Sequence, residues 1–321
     1  MRPRPSVIGA LAVALCLMTS GVCAQAQETA TVDELVRKLQ SSKNTEVEQA
    51  REALIERALQ GDTLVARQIA RALGEAKSLE SPSTLVRLNT VLVASALPDG
   101  EGVELLLAGL SDETAAVRYI AAKAIEKLSA RNDRPAVDWN TITATLAARV
   151  PAENSDYVQR RILTALVNID SGESRMAAID LLIKRAALHA KEATLPQVVE
   201  VDAFTRLLKD AFKKDQNGIK LPRAYLGKMA VAGLRFMQVA SSHLAGSGLD
   251  EAGQASHKRM FETGQAVFHW VIGKLVPGQT IPPKIDGEDW PRNRDKVREL
   301  IQMMSQPPFN LPADSFPAPA V

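Results

Sequence analysis

The sequence predicts an all-α protein built from stacked pairs of helices. Of its 321 residues, 46% are hydrophobic but only 4% are aromatic, a composition that favours Ala- and Leu-rich helices over a β-sandwich or barrel. Three segments beginning at Val86, Val117 and Val158 each place apolar residues seven, eight and eleven positions later, which is the spacing of one buried helix face. These starts lie 31 and 41 residues apart, a period typical of helical repeats.

The first 26 residues have the features of a secretory signal peptide. Arg2 and Arg4 give a positive start, 7–17 is an almost wholly apolar run, and a small-residue cleavage pattern ends at Ala26. This run is shorter than the roughly 18–20 residues that span a bilayer. We therefore predict cleavage and an exported protein, periplasmic or extracellular, with no stable membrane span.

Export would leave a mature chain with no cysteine and no net charge. Cys16 and Cys23 are the two cysteines of the sequence, and both precede residue 27, so thiol catalysis and Cys-ligated zinc are excluded from the mature chain. Loss of Arg2 and Arg4 takes the formal charge from +2 to zero. This balance lacks the strongly basic field typical of nucleic-acid-binding proteins, so we expect no nucleic-acid partner.

Helix-start signals mark the beginning of several elements. Thr31 and Glu34 have the spacing of a capping box. Ser81 followed by Pro82 predicts a cap and a proline at the first position of the next helix. The clearest unit is a short helix at 103–110, a turn rich in capping oxygens, and a second helix with an apolar stripe that ends at Leu128.

This unit resembles a HEAT-type repeat. The resemblance is carried by Asp112 at the turn, by Val117-Arg118 and by the Ala-rich helix that contains Ala121-Ala122, and it covers roughly 32–170. It implies an α-solenoid, a right-handed superhelix of helical pairs, which acts in protein–protein interaction or scaffolding.

The neighbouring copies depart from the family pattern at the turn. Ser81 takes the Asp position in the preceding copy and Glu153 takes it in the following one, where the Arg position is Gln159. Since the family uses these side chains to support the turns between repeats, we do not expect a regular Asp–Arg ladder.

The chain divides into four regions. We assign 1–26 to the signal peptide, 27–215 to the HEAT-like repeats, 216–306 to an irregular helical C-terminal region, and 307–321 to a proline-rich tail expected to be disordered. Beyond the repeats, helices are predicted over 176–188, 198–212, 224–244, 257–276 and 295–304.

The sequence contains no established catalytic pattern, and we predict no catalytic residue and no cofactor. It lacks a phosphate loop, a nucleophile elbow and a zinc-binding His-Glu-x-x-His helix. One alternative stays open: an enzyme or metal-binding site in the C-terminal region that uses His243, His257 or His269 and the acidic loop 286–289. His257 and His269 lie about 120° apart around one helix, so such a site requires the helix of His243 to pack face to face against theirs.

Our main functional prediction is a scaffold that binds a protein partner. A stack of helical pairs leaves an extended surface, and its arginine content favours an acidic partner. A structural envelope component tethered by the proline-rich tail is a further alternative. The predicted partner contacts are polar residues of the second helices: Arg87, Asn89, Arg118, Lys123, Arg160 and Arg161.

Overall fold

The structure, a computed structural model, is entirely helical over the residues that it describes, which confirms the predicted all-α fold. There it contains 13 α-helices, two short 3-10 helices and no strand. The described residues are 30–61, 63–131, 137–193, 197–246 and 248–311. The predicted signal peptide and residues 312–321 of the predicted tail lie outside them.

The helix bounds agree with the short helix predicted at 103–110 and extend most of the predicted C-terminal helices. The helices are α1 (Val32–Leu39), α2 (Asn44–Gln60), α3 (Thr63–Glu75), α4 (Thr84–Ala96), α5 (Val103–Gly109), α6 (Ala115–Ser129), α7 (Trp139–Arg149), α8 (Asp156–Asn168), α9 (Gly172–His189), α10 (Val198–Gln216), α11 (Arg223–Ala245), α12 (Glu251–Leu275) and α13 (Trp290–Met304).

The helices pack against one another in an order that follows the chain. Each even-numbered helix from α2 to α12 contacts the next even-numbered helix, and we call these six helices the even row. Among the odd-numbered helices, α1 contacts α3, and α7, α9, α11 and α13 contact one another in succession. Helices two positions apart in sequence are therefore neighbours throughout most of the described chain.

Apolar stripes hold the helices of the even row together. In α6 the predicted stripe is buried, with Val117, Ala121 and Ile125 wholly inaccessible to solvent. In α8, Val158 and Ile162 are equally buried. Full burial of a Val or Ile side chain stabilises a fold by about 1.5–3 kcal/mol, so this repeated stripe is a large part of what keeps the helices in register.

One predicted helix start is confirmed and one is wrong. The Glu34 N–H donates to Thr31 Oγ1 (3.2 Å), and the Thr31 N–H donates to Glu34 Oε2 (2.7 Å), which completes a capping box. By contrast, α4 begins at Thr84, two residues after the predicted proline position. The carbonyls of Ser81 and Pro82 accept from the Arg87 guanidinium instead, because this turn is shaped by a buried side chain.

The pair α11–α12 forms the most closely packed part of the C-terminal region. A Cβ atom added to Gly233 would lie 2.8 Å from the Gly264 carbonyl oxygen, and one added to Gly264 would lie 2.6 Å from the Gly233 carbonyl oxygen. Only glycine therefore permits this backbone approach. Helix α13 packs on α11. It also contacts α12, where the Trp290 ring of α13 meets the Phe261 ring edge to face, with centroids 5.4 Å apart.

Two helices of this region begin earlier than predicted because aspartates cap them. Asp250 Oδ1 accepts from the Gly253 N–H (2.7 Å), so α12 already begins at Glu251. Asp289 likewise caps α13, which begins at Trp290.

The first residues of the tail predicted to be disordered are folded. Leu311 is buried, and its N–H donates to the Met304 carbonyl (2.9 Å).

Candidate functional site

A buried arginine connects the turns that precede α4 and α6. The Arg87 side chain is 6% exposed; its Nε donates to Asp112 Oδ2 (2.7 Å), and its Nη1 donates to the Ser81 carbonyl (2.9 Å). Asp112 Oδ1 in turn accepts from the Thr114 N–H (2.7 Å) at the start of α6. One guanidinium thus satisfies polar groups of two successive turns.

Arg118 repeats this arrangement on α6, the next helix of the even row. Its Nε and Nη2 donate to the two carboxylate oxygens of Glu153 (2.8 and 3.0 Å), and its Nη1 donates to the carbonyls of Asp112 and Glu113 (2.9 and 2.8 Å). Burial opposes ionisation of Glu153, but hydrogen bonds from Arg118 and from the Ser155 N–H hold its pKa below the ordinary value.

The third step uses Gln159 in place of arginine. Gln159 Nε2 donates to the Glu153 carbonyl (2.6 Å). Gln159 therefore bonds the turn before its own helix, as Arg87 and Arg118 do. Arg87, Asp112, Arg118, Glu153 and Gln159 form what we call the turn ladder. The ladder is therefore not a regular Asp–Arg series, as the sequence indicated: Glu153 takes the place of Asp, and Gln159 hydrogen-bonds its own turn in place of Arg.

Three of the predicted partner-contact residues belong to the interior. Arg87, Asn89 and Arg118 are 5%, 1% and 9% exposed. Asn89 donates to the Leu85 carbonyl (2.8 Å) and accepts from Arg51 (3.1 Å). The expectation that these three lie on a solvated polar face was wrong, because each finds its hydrogen-bond partners within the chain.

The other three predicted residues lie on one continuous surface. Lys123 is exposed, whereas Arg160 and Arg161 are partly exposed. Arg161 donates to Glu126 (2.9 Å) and to the Tyr119 hydroxyl (3.1 Å), both one turn from Lys123 on α6. We call this side of the even row, which carries Leu85 on α4, Lys123 on α6 and Arg160 on α8, the outer face.

A second buried network, which was not predicted from the sequence, lies at the junction of α9 and α10. Arg185, His189 and Glu200 are wholly buried. Glu200 accepts from His189 Nε2 (2.9 Å) and pairs with Arg185, which also pairs with Asp156 (2.7 Å). Although burial opposes ionisation, the His189 hydrogen bond and the Arg185 charge hold the pKa of Glu200 low. The four-residue spacing of Arg185 and His189 on one helix was the available signal.

His243 and His257 lie beside this network and beside each other. Their ring centroids are 5.0 Å apart, so the helix packing required by the alternative site is present. Three of these ring nitrogens nevertheless have protein partners: His243 Nε2 bonds the His189 carbonyl (2.7 Å), His257 Nδ1 bonds the Gly253 carbonyl (2.9 Å), and His257 Nε2 bonds the Gln197 amide (2.8 Å). Burial, more than the neighbouring histidines, lowers the pKa of His257.

The acidic loop and His269 are not brought into this cluster. Glu288 pairs with Lys258 (2.7 Å) and Asp289 caps α13. Burial, followed by the charge of Lys284, lowers the pKa of His269. In the described part of the chain, no three His, Cys, Asp or Glu side chains are grouped so that they could hold a metal ion.

Comparison with known proteins assigns no family. No family model matches the chain, and no curated protein is significantly similar to it. The crystal structure of an engineered protein is 22% identical, with 74% of this chain and 97% of that chain covered and a TM-score of 0.44; this likeness is too low to carry an argument. Among the helices of the described residues, none has the length and apolar character needed to cross a membrane.

Proposed function

We propose that the chain is an exported HEAT-like α-solenoid, a right-handed superhelix of helical pairs, and that it serves as a protein–protein interaction scaffold in the periplasm or outside the cell. The observation that carries the proposal is the turn ladder. Arg87 and Arg118 each donate hydrogen bonds to a carbonyl of their own turn and to the carboxylate of the next turn. Such bonds are how one repeat unit would support its neighbour.

The order of helix contacts supports the same architecture. A solenoid adds one helical pair at a time, so each helix meets its counterpart in the next pair. The even row has this pattern from α2 to α12. Helix α5 spans only Val103–Gly109, which makes the unit around it shorter than its neighbours without interrupting the contact of α4 with α6.

The outer face supports a binding role. Cross-helix contacts keep it continuous: Arg161 of α8 reaches Glu126 of α6, and Arg206 of α10 reaches Asn168 of α8 (2.9 and 2.8 Å). Lys123 and Lys127 stand exposed on this surface. Charge presented by several consecutive helices suits an extended acidic partner, because recognition in repeat proteins is distributed over many side chains.

The test is charge reversal on the outer face. The protein is used to capture partners from native envelope or secreted material, and one stoichiometric partner is then titrated against Lys123→Glu combined with Lys127→Glu. We expect its affinity to fall by about tenfold or more, while Lys38→Glu, an exposed reversal on α1, leaves it unchanged. Equal affinity for both variants, with thermal stability preserved, would refute the assignment of this face.

The contact of His243 with His257 supports a second candidate function, metal binding in the C-terminal region. A metal there would have to displace the hydrogen bonds that these rings make to the His189 carbonyl and the Gln197 amide. Protein purified without chelator should then contain stoichiometric metal, and His243→Ala should lose it. Protein that contains no metal after such a preparation would rule out this metal-binding function.

A further inference from the structure

The outer face begins with an acidic stripe on α2. Glu48, Glu52 and Glu56 recur every four residues and are all exposed, while the opposite side of α2 is buried through Val47 and Leu54. This spacing places the three carboxylates on one side of the helix. The stripe contains three carboxylates in a little over two turns, and the pairing of Glu52 with Arg51 (3.3 Å) leaves an excess of two negative charges.

The next helix of the even row contributes an apolar strip. Leu85, Leu88 and Leu92 recur at three- and four-residue steps on the solvent side of α4, where Leu85 is 38% exposed and the other two are partly exposed. Leu59 at the end of α2 is 71% exposed. An exposed row of leucines beside charged helices marks a surface suited to a protein contact.

Helices α6 and α8 then present a positive surface. The two carboxylates on this side, Glu126 and Asp156, are already paired with Arg161 (2.9 Å) and Arg160 (2.8 Å). Lys123 and Lys127 add exposed cations to those neutralised pairs. The excess of positive charge on α6 and α8 is therefore opposite to the excess of negative charge on α2.

We propose that the outer face binds the same face of a second copy of this chain in a twofold dimer. The proposal rests on the proposed function, since it names a partner for that surface. A twofold axis that runs along α4 lays α2 of each copy across α6 of the other and packs the two α4 helices against each other. A twofold contact requires a self-complementary surface, and the order acidic, apolar, basic meets this requirement.

The available area is sufficient for such a contact. Helices of this length extend about 20–25 Å, and three neighbouring helices, each about 10 Å across with axes about 9–10 Å apart, are about 30 Å wide. A footprint of about 800 Å² on each copy is the usual size for a specific association. Since the charges lie at the rim and leucines near the centre, we expect dimerisation to weaken as salt concentration rises.

The experiment measures association of the purified protein by sedimentation equilibrium. We expect a dimer at low salt, and at least about tenfold weaker self-association in two charge-reversal variants. The α2 variant combines Glu52→Lys with Glu56→Lys, and the α6 variant combines Lys123→Glu with Lys127→Glu. An equimolar mixture of the two should form a 1:1 heterodimer. In it the reversed α2 faces the reversed α6 and the native α2 faces the native α6, so both contacts again join opposite charges.

The control is Glu52→Gln combined with Glu56→Gln, which should keep the native circular dichroism spectrum and weaken the dimer less than reversal does. A monomer at every concentration, a dimer indifferent to the reversals, or variants that do not recover association when mixed would each overturn the proposal. If the protein is a monomer but still captures another protein through Lys123, the proposed scaffold function stands without the dimer. If it forms the dimer but captures no other protein, the dimer stands without the scaffold function.

Discussion

Arg118 Nε lies 2.8 Å from Glu153 Oε2, and these two buried residues are 35 positions apart in the chain. The pair joins the turn before α6 to the turn before α8. Its carboxylate also accepts from Arg149 (3.2 Å) and from the Ser155 N–H (2.8 Å). Loss of either partner would therefore leave a buried charge with incomplete compensation.

Arg118→Ala should destabilise the protein by about 3–5 kcal/mol, because Glu153 would lose its main cation while remaining buried. Chemical denaturation monitored by circular dichroism measures this change. The exposed Lys123→Ala on the same helix is the matched control and should change stability by less than about 0.5 kcal/mol.

The Arg118→Met, Glu153→Leu double variant should be more stable than the sum of the two single changes predicts, since no uncompensated charge remains from the pair. Additive effects in this double-mutant cycle would show that the two side chains contribute independently.

Gly233→Ala should destabilise the protein by about 1–3 kcal/mol, because its Cβ would lie 2.8 Å from the Gly264 carbonyl oxygen and would force α11 from α12. Gly227→Ala on the same helix meets nothing within 4 Å and should stabilise by about 0.5–1 kcal/mol. Melting temperatures of the two variants should therefore move in opposite directions.

Acid should destabilise the protein as pH falls from about 6.5 towards 5, in part through His257. Its pKa in the folded chain is lowered, chiefly by burial, so below its ordinary value of about 6.5 the unfolded chain binds the proton more readily. The stability associated with neutral His257 is present above that pH and is lost below it. Unfolding free energies at several pH values should show a smaller acid loss in His257→Gln than in the parent protein.

Glu200 should act in a separate and lower pH range. Its pKa is held below the ordinary value of 4.5 despite burial, by His189 and Arg185. Its contribution is therefore present above the ordinary carboxyl range and disappears only as pH falls through the depressed value. A Glu200→Gln variant should lose stability at neutral pH and show a flatter stability profile below about pH 4.5. An unchanged profile would contradict the role given to this carboxylate.

Local patterns predicted the helices well, because an apolar stripe such as Val117, Ala121 and Ile125 is encoded within one segment. They failed for Arg87 and Arg118, which resemble solvated residues in sequence. The burial of these arginines depends on carboxylates 25 and 35 residues away in the chain, and no local period records that distance. The early start of α12 was missed because the glycines near Asp250 outweighed its capping capacity.

The candidate site was predictable only in part. The sequence identified His243 and His257 and the condition that would bring them together, but their contact depends on how α11 and α12 cross. The network of Arg185, His189 and Glu200 was missed because each residue alone is an ordinary helix position. The charge order of the outer face likewise becomes visible only when helices separated by 30 or more residues are known to be neighbours.

The turn ladder has a mechanical consequence. Its contacts, from Arg87–Asp112 to Arg118–Glu153, all lie near the N-terminal ends of α4, α6 and α8. Towards the opposite ends of α6 and α8, the polar contacts are a neutral hydrogen bond from Asn168 to Ser129 (3.2 Å) and the partly exposed ion pair of Arg161 with Glu126 (2.9 Å). Spreading the helices at the ladder edge separates buried charges, whereas spreading them at the other edge breaks a neutral hydrogen bond and an ion pair that water screens. The row therefore has a stiff edge and a compliant edge, and bending under load should open it on the compliant side.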